Sequence, residues 1–458
     1  MICSQHGAYS KVQSFTTLSP HCTHLFFLLI DESMSVPKKL YIESTTRCNL
    51  ACDKCIKQMP GNRISNEDLP LPLFEKLLPE LGEVDTLILN GIGEPLLHPH
   101  LVEMVAKARA VMKRDGVIGF QSNGVLMSTT MAEKLVEAGL SSVCFSLDGL
   151  QGEGEGNSVS SPSSLSVARA LGNLRPFIRQ KEVQTGLEIV VSQDNVEALP
   201  DLIQWGADQG VNYILVSHLF AYDKEMTNKS LFSPITQEVL SLFVKYQELA
   251  RQQGIDLVRG LQAHVKFNRV APDKQALELL AQMRKQAQAK DIYLHWADLL
   301  EYDAEQMDHT SALFATAQQV ALARGIALEL PPLQAEHNRS CLFIEDQAAF
   351  IGTRGEVMPC HFLWHSYSCM GGNEVIDVQQ RDFGNLHDRS LTAIWEGDEY
   401  KRFREEARRA EYSRCWSCPQ SPCADIVNNN NLLTANDCHG SIVPCGHCRW
   451  SIGGLRCL

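Results

Sequence analysis

Three cysteines stand within one short stretch, Cys48-Asn49-Leu50-Ala51-Cys52-Asp53-Lys54-Cys55. A tight triplet of thiols spaced CxxxCxxC is a cage for a soft metal, an iron–sulfur cluster above all. Three protein ligands leave one iron without a thiolate. An open iron suits a catalytic site, where a substrate or cofactor can bind it. The alternative is a zinc knuckle completed by a distant cysteine or histidine.

The elements that must position this triplet are legible around it. It follows the apolar, β-branched run Leu40-Tyr41-Ile42, which predicts a first strand ending at the cysteines. From 38 to about 220, short β-branched runs alternate with amphipathic stretches. The strand candidates are Leu40–Glu43, Thr86–Asn90, Val117–Gln121, Ser142–Leu147, Leu187–Val191 and Tyr213–Ser217. Helices are expected over Pro72–Leu81, His100–Lys113 and Thr130–Ala138. Six β/α repeats imply an α/β fold with a parallel sheet and right-handed crossovers.

In such folds chemistry collects at the C-terminal ends of the strands. Strand two ends in Gly91-Ile92-Gly93-Glu94-Pro95, where glycines let backbone approach a ligand and Glu94 can accept from a cationic amine. The next three strands end in Gln121-Ser122-Asn123-Gly124, Ser146-Leu147-Asp148-Gly149 and Val191-Ser192-Gln193-Asp194-Asn195, and the sixth in Ser217-His218. Taken singly, each reads equally as a polar strand-end turn. His218 suits a structural role as well as an active-site one.

Taken together in this order, the motifs resemble the radical S-adenosylmethionine (SAM) superfamily. The resemblance implies a partial (β/α)6 barrel and a catalytic 4Fe–4S cluster held by Cys48, Cys52 and Cys55, whose open iron chelates SAM. It implies that Gly91, Gly93, Glu94, Ser122, Asn123, Ser146, Asp148 and Ser192 line the SAM site. Two departures stand out. Ile92 replaces the second glycine of the family's GGEP motif. Lys54 stands where the family usually has an aromatic residue near the adenine, so adenine stacking must come from elsewhere.

The whole chain has 458 residues, a net charge of −13 and a pI of about 5.6. That length suits two or three domains, and the acidity argues against nucleic acid as a partner. Ten of the 16 cysteines lie between Cys341 and Cys457, which in a long acidic chain reads as metal binding in a reducing compartment. The apolar run Leu25–Ile30 is far shorter than the roughly 20 residues a membrane span needs, and no signal peptide is convincing. Residues 1–37 are expected to be a disordered extension or to precede a true start at Met34, leaving Cys3 and Cys22 as bystanders. The Gly/Glu/Ser-rich stretch 152–166 reads as a linker within the domain, poor for anions because acids interleave its glycines. The core then spans 38–230.

Residues 231–335 are rich in Gln, Ala, Leu, Glu and Lys, with helical periodicity over Thr236–Gln252, Lys274–Ala289 and Ser311–Arg324. They predict a helical extension, in which His295, Trp296 and Asp298 suit core or surface roles better than substrate contact. A cysteine-rich domain follows over 336–458. Two short strands around Thr353-Arg354-Gly355 would form a hairpin joining Cys341 to Cys360. After it come Gly384-Asn385-Leu386, the Ile394-Trp395 helix, the helix Tyr400–Tyr412 and Cys415-Trp416-Ser417-Cys418.

This order resembles the SPASM extension of radical SAM enzymes, which implies one or two auxiliary 4Fe–4S clusters. The expected partition is Cys341, Cys360 and Cys438 in the first cluster. Cys415, Cys418 and Cys423 form the second, completed from Cys445, Cys448 or Cys457, with Cys369 also available. The alternative is one cluster plus a structural zinc. His361 and His365 are near enough in sequence to be ligands, although neutral core roles suit them better. The tail from Asp437 to Cys457 resembles that of SPASM proteins regarded as maturases of tungsten-cofactor or other metallo-oxidoreductases.

The function expected is therefore an anaerobic, cytoplasmic radical SAM maturase of a metalloenzyme or its cofactor, served by a low-potential donor such as ferredoxin or flavodoxin. Modification of a ribosomal peptide is the rival, weakened because only about 37 residues precede strand one, too few for a peptide-recognition domain. A non-catalytic iron–sulfur electron carrier or scaffold is the reading from another class. No nucleic-acid or membrane partner is expected.

Overall fold

A computed structural model describes residues 35–150, 162–180, 182–265, 274–290, 292, 294, 296–336, 340–371, 374–409 and 443–455. The expectations for residues 1–33, His295, Cys415, Cys418, Cys423, Cys438 and Cys457, and for most of 152–166, lie outside them.

From Val36 onward the architecture is one twisted sheet wrapped by helices. Its strands are β1 Lys39–Ile42, β2 Thr86–Ile88, β3 Val117–Ser122, β4 Ser142–Ser146, β5 Gln184–Val191 and β6 Tyr213–His218. Three more follow: β7 Ala327–Glu329, β8 Ala348–Ile351 and β9 Val357–Met358. The order is β7-β6-β5-β4-β3-β2-β1-β8-β9. All neighbours are parallel except β8 and β9, so the predicted parallel α/β sheet forms, and it stays open between β7 and β9. The strands are short apolar runs such as Leu40-Tyr41-Ile42 and Ile214-Leu215-Val216. Both faces are buried, as a parallel sheet covered by helices requires.

The crossover helices bury one apolar stripe each. Helix Thr129–Glu137 begins where Ser128 Oγ accepts the Met131 N–H, and helix Ser164–Arg179 begins where Ser163 Oγ accepts from Ser166. The helix expected over Pro72–Leu81 is two pieces, Leu71–Glu75 and Leu78–Leu81. Pro79 has no N–H to offer Glu75, so the ladder breaks there.

Within 231–335, helices Gln237–Gln252, Leu257–Val265, Lys274–Ala289 and Trp296–Glu301 enclose a core of their own, including Phe243, Leu261 and Met283. Helix Ala304–Arg324 instead packs on helix Leu199–Gln209 and leads into β7 beside β6. The end of this predominantly helical stretch is thus a seventh β/α repeat added to the sheet.

The C-terminal hairpin forms as expected, β8 against β9, and β8 also pairs in parallel with β1. A second hairpin, β10 Tyr367–Gly371 with β11 Glu374–Val378, was not evident from pattern alone. Helix Leu391–Trp395, capped by Ser390 Oγ, and helix Asp398–Arg409 close the domain. Phe383 stacks on Tyr400 at 4.2 Å between ring centres, and the Arg404 guanidinium sits 3.6 Å over Trp395.

Candidate active site

The loop that leaves β1 is held from beneath by short polar contacts. Thr45 Oγ1 donates to Asp68 Oδ1 at 2.6 Å, Thr46 Oγ1 to the Ser65 carbonyl at 2.6 Å, and Arg47 Nη2 to the Leu97 carbonyl at 2.8 Å. The Cys55 N–H closes a turn onto the Cys52 carbonyl at 2.9 Å. The three thiols are free and half-buried. Burial first, then the nearby Cys48 and Cys55, push the Cys52 thiol up to about 12. Three crowded thiols ionise together only if a cation compensates them, as the irons of a cluster would.

The glycine motif after β2 is shaped by the protein itself. A Cβ on Gly91 would lie 2.3 Å from Cγ of Glu43, and one on Gly93 would lie 2.3 Å from the Thr45 carbonyl oxygen. Both positions must therefore be glycine for the loop to lie flat on β1 and the cysteine loop. Gly91 borders Glu43, and the Ile92 N–H donates to Glu43 Oε1 at 2.9 Å. Glu94 lies under the loop as a hub. It accepts from the Leu96 N–H at 3.1 Å, from Ser122 Oγ at 2.8 Å and from the Asn123 N–H at 2.8 Å. Burial pushes its carboxyl above the usual range, against the pull of those three bonds.

The other strand ends converge on the same rim. Asn123 Nδ2 donates to Asn49 Oδ1 at 2.9 Å and lies 4.0 Å from Cys48 Sγ. Ser146 Oγ accepts from Gln121 Nε2 at 2.8 Å. Asp148 Oδ1 accepts the Val190 N–H at 2.8 Å. Lys54, where an aromatic residue was the family pattern, reaches across from the cysteine loop. Its Nζ lies 3.3 Å from Asp148 Oδ2 and 3.2 Å from the Val190 carbonyl oxygen. The Ser192 hydroxyl is fully buried and has no hydrogen-bond partner among the described residues, which marks it as a group a ligand could satisfy.

Glu43 was no candidate from the sequence, although an acid at the end of an apolar strand was a readable signal; His365, for which a core role suited better than a ligand's, stands with its Nε2 3.0 Å from Glu43 Oε2. His218 is a core residue. Its Nε2 stands 2.9 Å from the Pro332 carbonyl, and burial lowers it to about 4, so the ring is neutral. His361 is enclosed by Tyr41, Phe343, Phe350 and Trp364, and burial lowers it to about 3. Trp296 belongs to the helical bundle, against His264 and Arg284.

A second thiol cage lies beyond the open edge of the sheet. Cys341, Cys360, Cys445 and Cys448 line one apolar pocket with Phe343, Ile344 and Trp450. Burial, then their mutual proximity, push the Cys360 thiol up to about 12 and hold those of Cys445 and Cys448 well above the ordinary thiol value. Backbone N–H groups already point at the sulfurs: those of Phe343 and Ile344 at Cys341, Phe362 and Leu363 at Cys360, and Trp450 and Ser451 at Cys448. Such donors stabilise thiolates and tune a cluster. The expected partition had Cys445, Cys448 or Cys457 completing the Cys415 group. Among the described residues Cys445 and Cys448 stand against Cys341 and Cys360, where the final segment folds back beside Glu336 and Ser340. The Glu336 N–H meets the Ile452 carbonyl at 3.1 Å, and the Ser340 N–H meets that of Ser451 at 3.2 Å.

Cys369 is buried apart from these four, near Arg449. Among the described residues no three Cys, His, Asp or Glu side chains converge on a point as ligands of one ion would.

Residues 42–175 match the family model of the radical SAM superfamily, and residues 341–419 match SPASM, an iron–sulfur cluster-binding domain. The chain is a radical SAM enzyme with a SPASM extension, which uses a 4Fe–4S cluster with SAM and carries auxiliary iron–sulfur binding. It is 26% identical over 435 residues to the tungsten-containing aldehyde ferredoxin oxidoreductase cofactor-modifying protein of Pyrococcus furiosus, covering 92% of this chain and 97% of that protein. It is 25% identical over 386 residues to PqqA peptide cyclase of Xanthomonas campestris pv. campestris, covering 84% and 80%. The crystal structure of Streptococcus suis SuiB aligns with a TM-score of 0.48 at 13% identity, covering 84% of this chain and 71% of that one. Among the described residues no helix is long and apolar enough to cross a membrane.

Proposed function

We propose that this chain matures a metalloenzyme or its cofactor, with a tungsten oxidoreductase as the first substrate to test. The observation that carries this is end-to-end similarity to a tungsten oxidoreductase cofactor-modifying protein, across 97% of that protein. Cys48, Cys52 and Cys55 hold the catalytic cluster, and Cys341, Cys360, Cys445 and Cys448 hold an auxiliary one. When bound and reduced, the catalytic cluster with SAM supplies a 5'-deoxyadenosyl radical that abstracts hydrogen from the substrate.

The chain's own residues do the positioning. Gly91 and Gly93 keep the backbone of the second strand end low and open, and Glu94 fixes that loop to Ser122 and Asn123. Ser192 offers a buried hydroxyl for SAM, and Lys54 with Asp148 fastens the cysteine loop to the strand ends. Ser146 completes the rim. The enclosing walls exclude water and oxygen from the radical.

The electron comes from a low-potential carrier such as ferredoxin or flavodoxin. The acidic chain, at −13, has no call for nucleic acid, and the chemistry suits the cytoplasm. The working division is a core at 38–230, a mainly helical extension at 231–335 and an auxiliary domain at 336–458. Similarity to PqqA peptide cyclase supports the second reading, modification of a peptide.

The test is anaerobic incubation of the iron-loaded protein with SAM, a reductant and either candidate substrate. Formation of 5'-deoxyadenosine that rises with a cofactor-free tungsten oxidoreductase supports the maturase. A rise only with a peptide moves the function to the second reading. No 5'-deoxyadenosine at all would leave an electron carrier.

A further inference from the structure

The concave face of the sheet is polar along one level. In the first three strands Ile42, Leu87, Leu89, Ile118 and Phe120 point to the helix side and belong to the main core. The alternating positions point the other way, and at the C-terminal ends they are Glu43, Asn90 and Gln121. The registers Tyr41↔Ile88 and Ile88↔Gly119, carried two residues on, set these three side by side. Ser146 of β4 and Glu188 of β5, paired directly with each other, continue the row.

Gln121 ties the row together. Its Nε2 donates to Ser146 Oγ at 2.8 Å and to Glu188 Oε2. Gln121 Oε1 and Glu188 Oε1 are then left without a donor among the described residues. Asn90 is nine-tenths buried, and its Oδ1 has no hydrogen-bond partner among the described residues either. Glu43 is already engaged, by the Ile92 N–H at 2.9 Å and by His365. Folded proteins leave few buried acceptors unanswered, so such a group calls for a bound partner. Packing gives no reason for polar side chains here, because branched apolar residues fill a barrel interior well. Gln121, Ser146 and Glu188 also stay partly exposed in the middle of a nine-stranded sheet, so the space before them is open. No Lys or Arg stands in the row, and Lys54 on the rim is tied to Asp148 and the Val190 carbonyl. The row therefore offers acceptors and negative charge, and it repels a carboxylate or phosphate.

We propose that Asn90, Gln121 and Glu188 recognise the substrate, and that they take a planar edge of adjacent N–H donors, as on a guanidinium or a 2-aminopyrimidinone ring. A carboxylate suits such an edge, and the two amide oxygens accept from donors beside it. This rests on the chain acting as a radical enzyme on a substrate held at its strand ends. The donor edge has two sources: the arginine side chain of a protein or peptide, or the heterocycle of a cofactor.

The test is calorimetry on the full iron-loaded chain with SAM present, at pH 8, where Glu188 carries its charge. The probes are N-acetylarginine amide, 2-amino-4-hydroxypyrimidine and, as the wrong chemistry, benzoate. The wild type is expected to bind one of the first two and to ignore benzoate. Arginine-probe binding assigns the edge to a protein or peptide, and pyrimidine binding assigns it to a cofactor. Glu188→Gln is expected to weaken the bound probe by about tenfold, the weight of a charge-assisted hydrogen bond, and Asn90→Leu by about fivefold. Should Asn90→Leu disturb the neighbouring glycine loop, a SAM titration reveals it and Glu188→Gln, within its strand, decides alone. Absence of binding by both donor probes at millimolar concentration would overturn the proposal. So would benzoate binding as tightly as they do, or unchanged affinity in the variants. Binding is read without turnover. A chain that binds a donor probe but forms no 5'-deoxyadenosine with SAM and reductant defeats the radical-enzyme reading, whereas one that forms it and binds neither donor probe defeats only the recognition row.

Discussion

His365 of the auxiliary domain pairs with Glu43 at the end of β1, Nε2 standing 3.0 Å from Oε2. Glu43 is fully buried and also receives the Ile92 N–H, so one carboxylate touches both the auxiliary domain and the glycine motif that follows β2. Removing one partner of a buried pair leaves the other uncompensated, at a cost of about 3 kcal/mol. His365→Ala is therefore expected to lower the unfolding free energy read from urea melts by about that amount and to weaken SAM binding in equilibrium dialysis. Stability equal to wild type would show that the pair carries no weight.

Gly91→Ala tests the same corner sterically. The added methyl would meet Glu43 at 2.3 Å, so either the carboxylate or the loop must move. The variant is expected to bind SAM at least as poorly as His365→Ala, with catalytic-cluster iron retained, because the cysteine loop itself is untouched.

Ser192→Ala separates stability from binding. The buried hydroxyl has no partner among the described residues, so its loss is expected to leave the folded protein unchanged or more stable by about 1 kcal/mol. If the hydroxyl meets SAM, affinity falls by about fivefold, the weight of one hydrogen bond. A thermal melt and a SAM titration on the same sample read both directions.

Lys54→Met removes the link from the cysteine loop to Asp148. Both side chains keep roughly a third of their exposure, so stability is expected to change by less than about 1 kcal/mol. The cluster loop loses its tie to the ends of β4 and β5, and iron release to a chelator is expected to quicken. Unchanged release kinetics would make Lys54 a surface pair and nothing more.

Glu188 on β5 gives a pH signature. Burial, then the nearby Asp148, raise its carboxyl from 4.5 to about 7. The folded state therefore holds this proton between pH 4.5 and 7 while the unfolded chain has released it, so this group's contribution to stability falls as pH rises through that window and is flat above it. The upper bound of the change is about 3 kcal/mol. Glu188→Gln is expected to flatten this part of the stability–pH curve and to be the more stable protein at pH 8, in urea melts across pH 5 to 8.

The strand ends are legible in the sequence because parallel strands are short, apolar and punctuated by polar turns, so Gly91, Glu94, Asn123 and Asp148 announce themselves. The pairing of Cys341 with Cys360 is legible for a local reason, a hairpin. What brings Cys445 and Cys448 to them is a long-range fold-back beside Glu336 and Ser340, which leaves no periodic trace. Glu43 and His365 lie 322 residues apart, and only the alignment of β8 on β1 makes them neighbours. Lys54 shows the limit of family analogy, since a lone cation in a cysteine loop does not declare which carboxylate it will reach.

The ladder between β1 and β8 has one more implication. The auxiliary domain does not hang from the core by a linker; it supplies the strand that covers the core's own edge. A chain cut before residue 341 would bare the amides and carbonyls of β1, directly beneath the catalytic loop, as a template for pairing with another molecule. Removing the extension would therefore produce an aggregating core rather than a simpler enzyme, and transplanting it onto another barrel would require matching strand register before any chemistry could be compared.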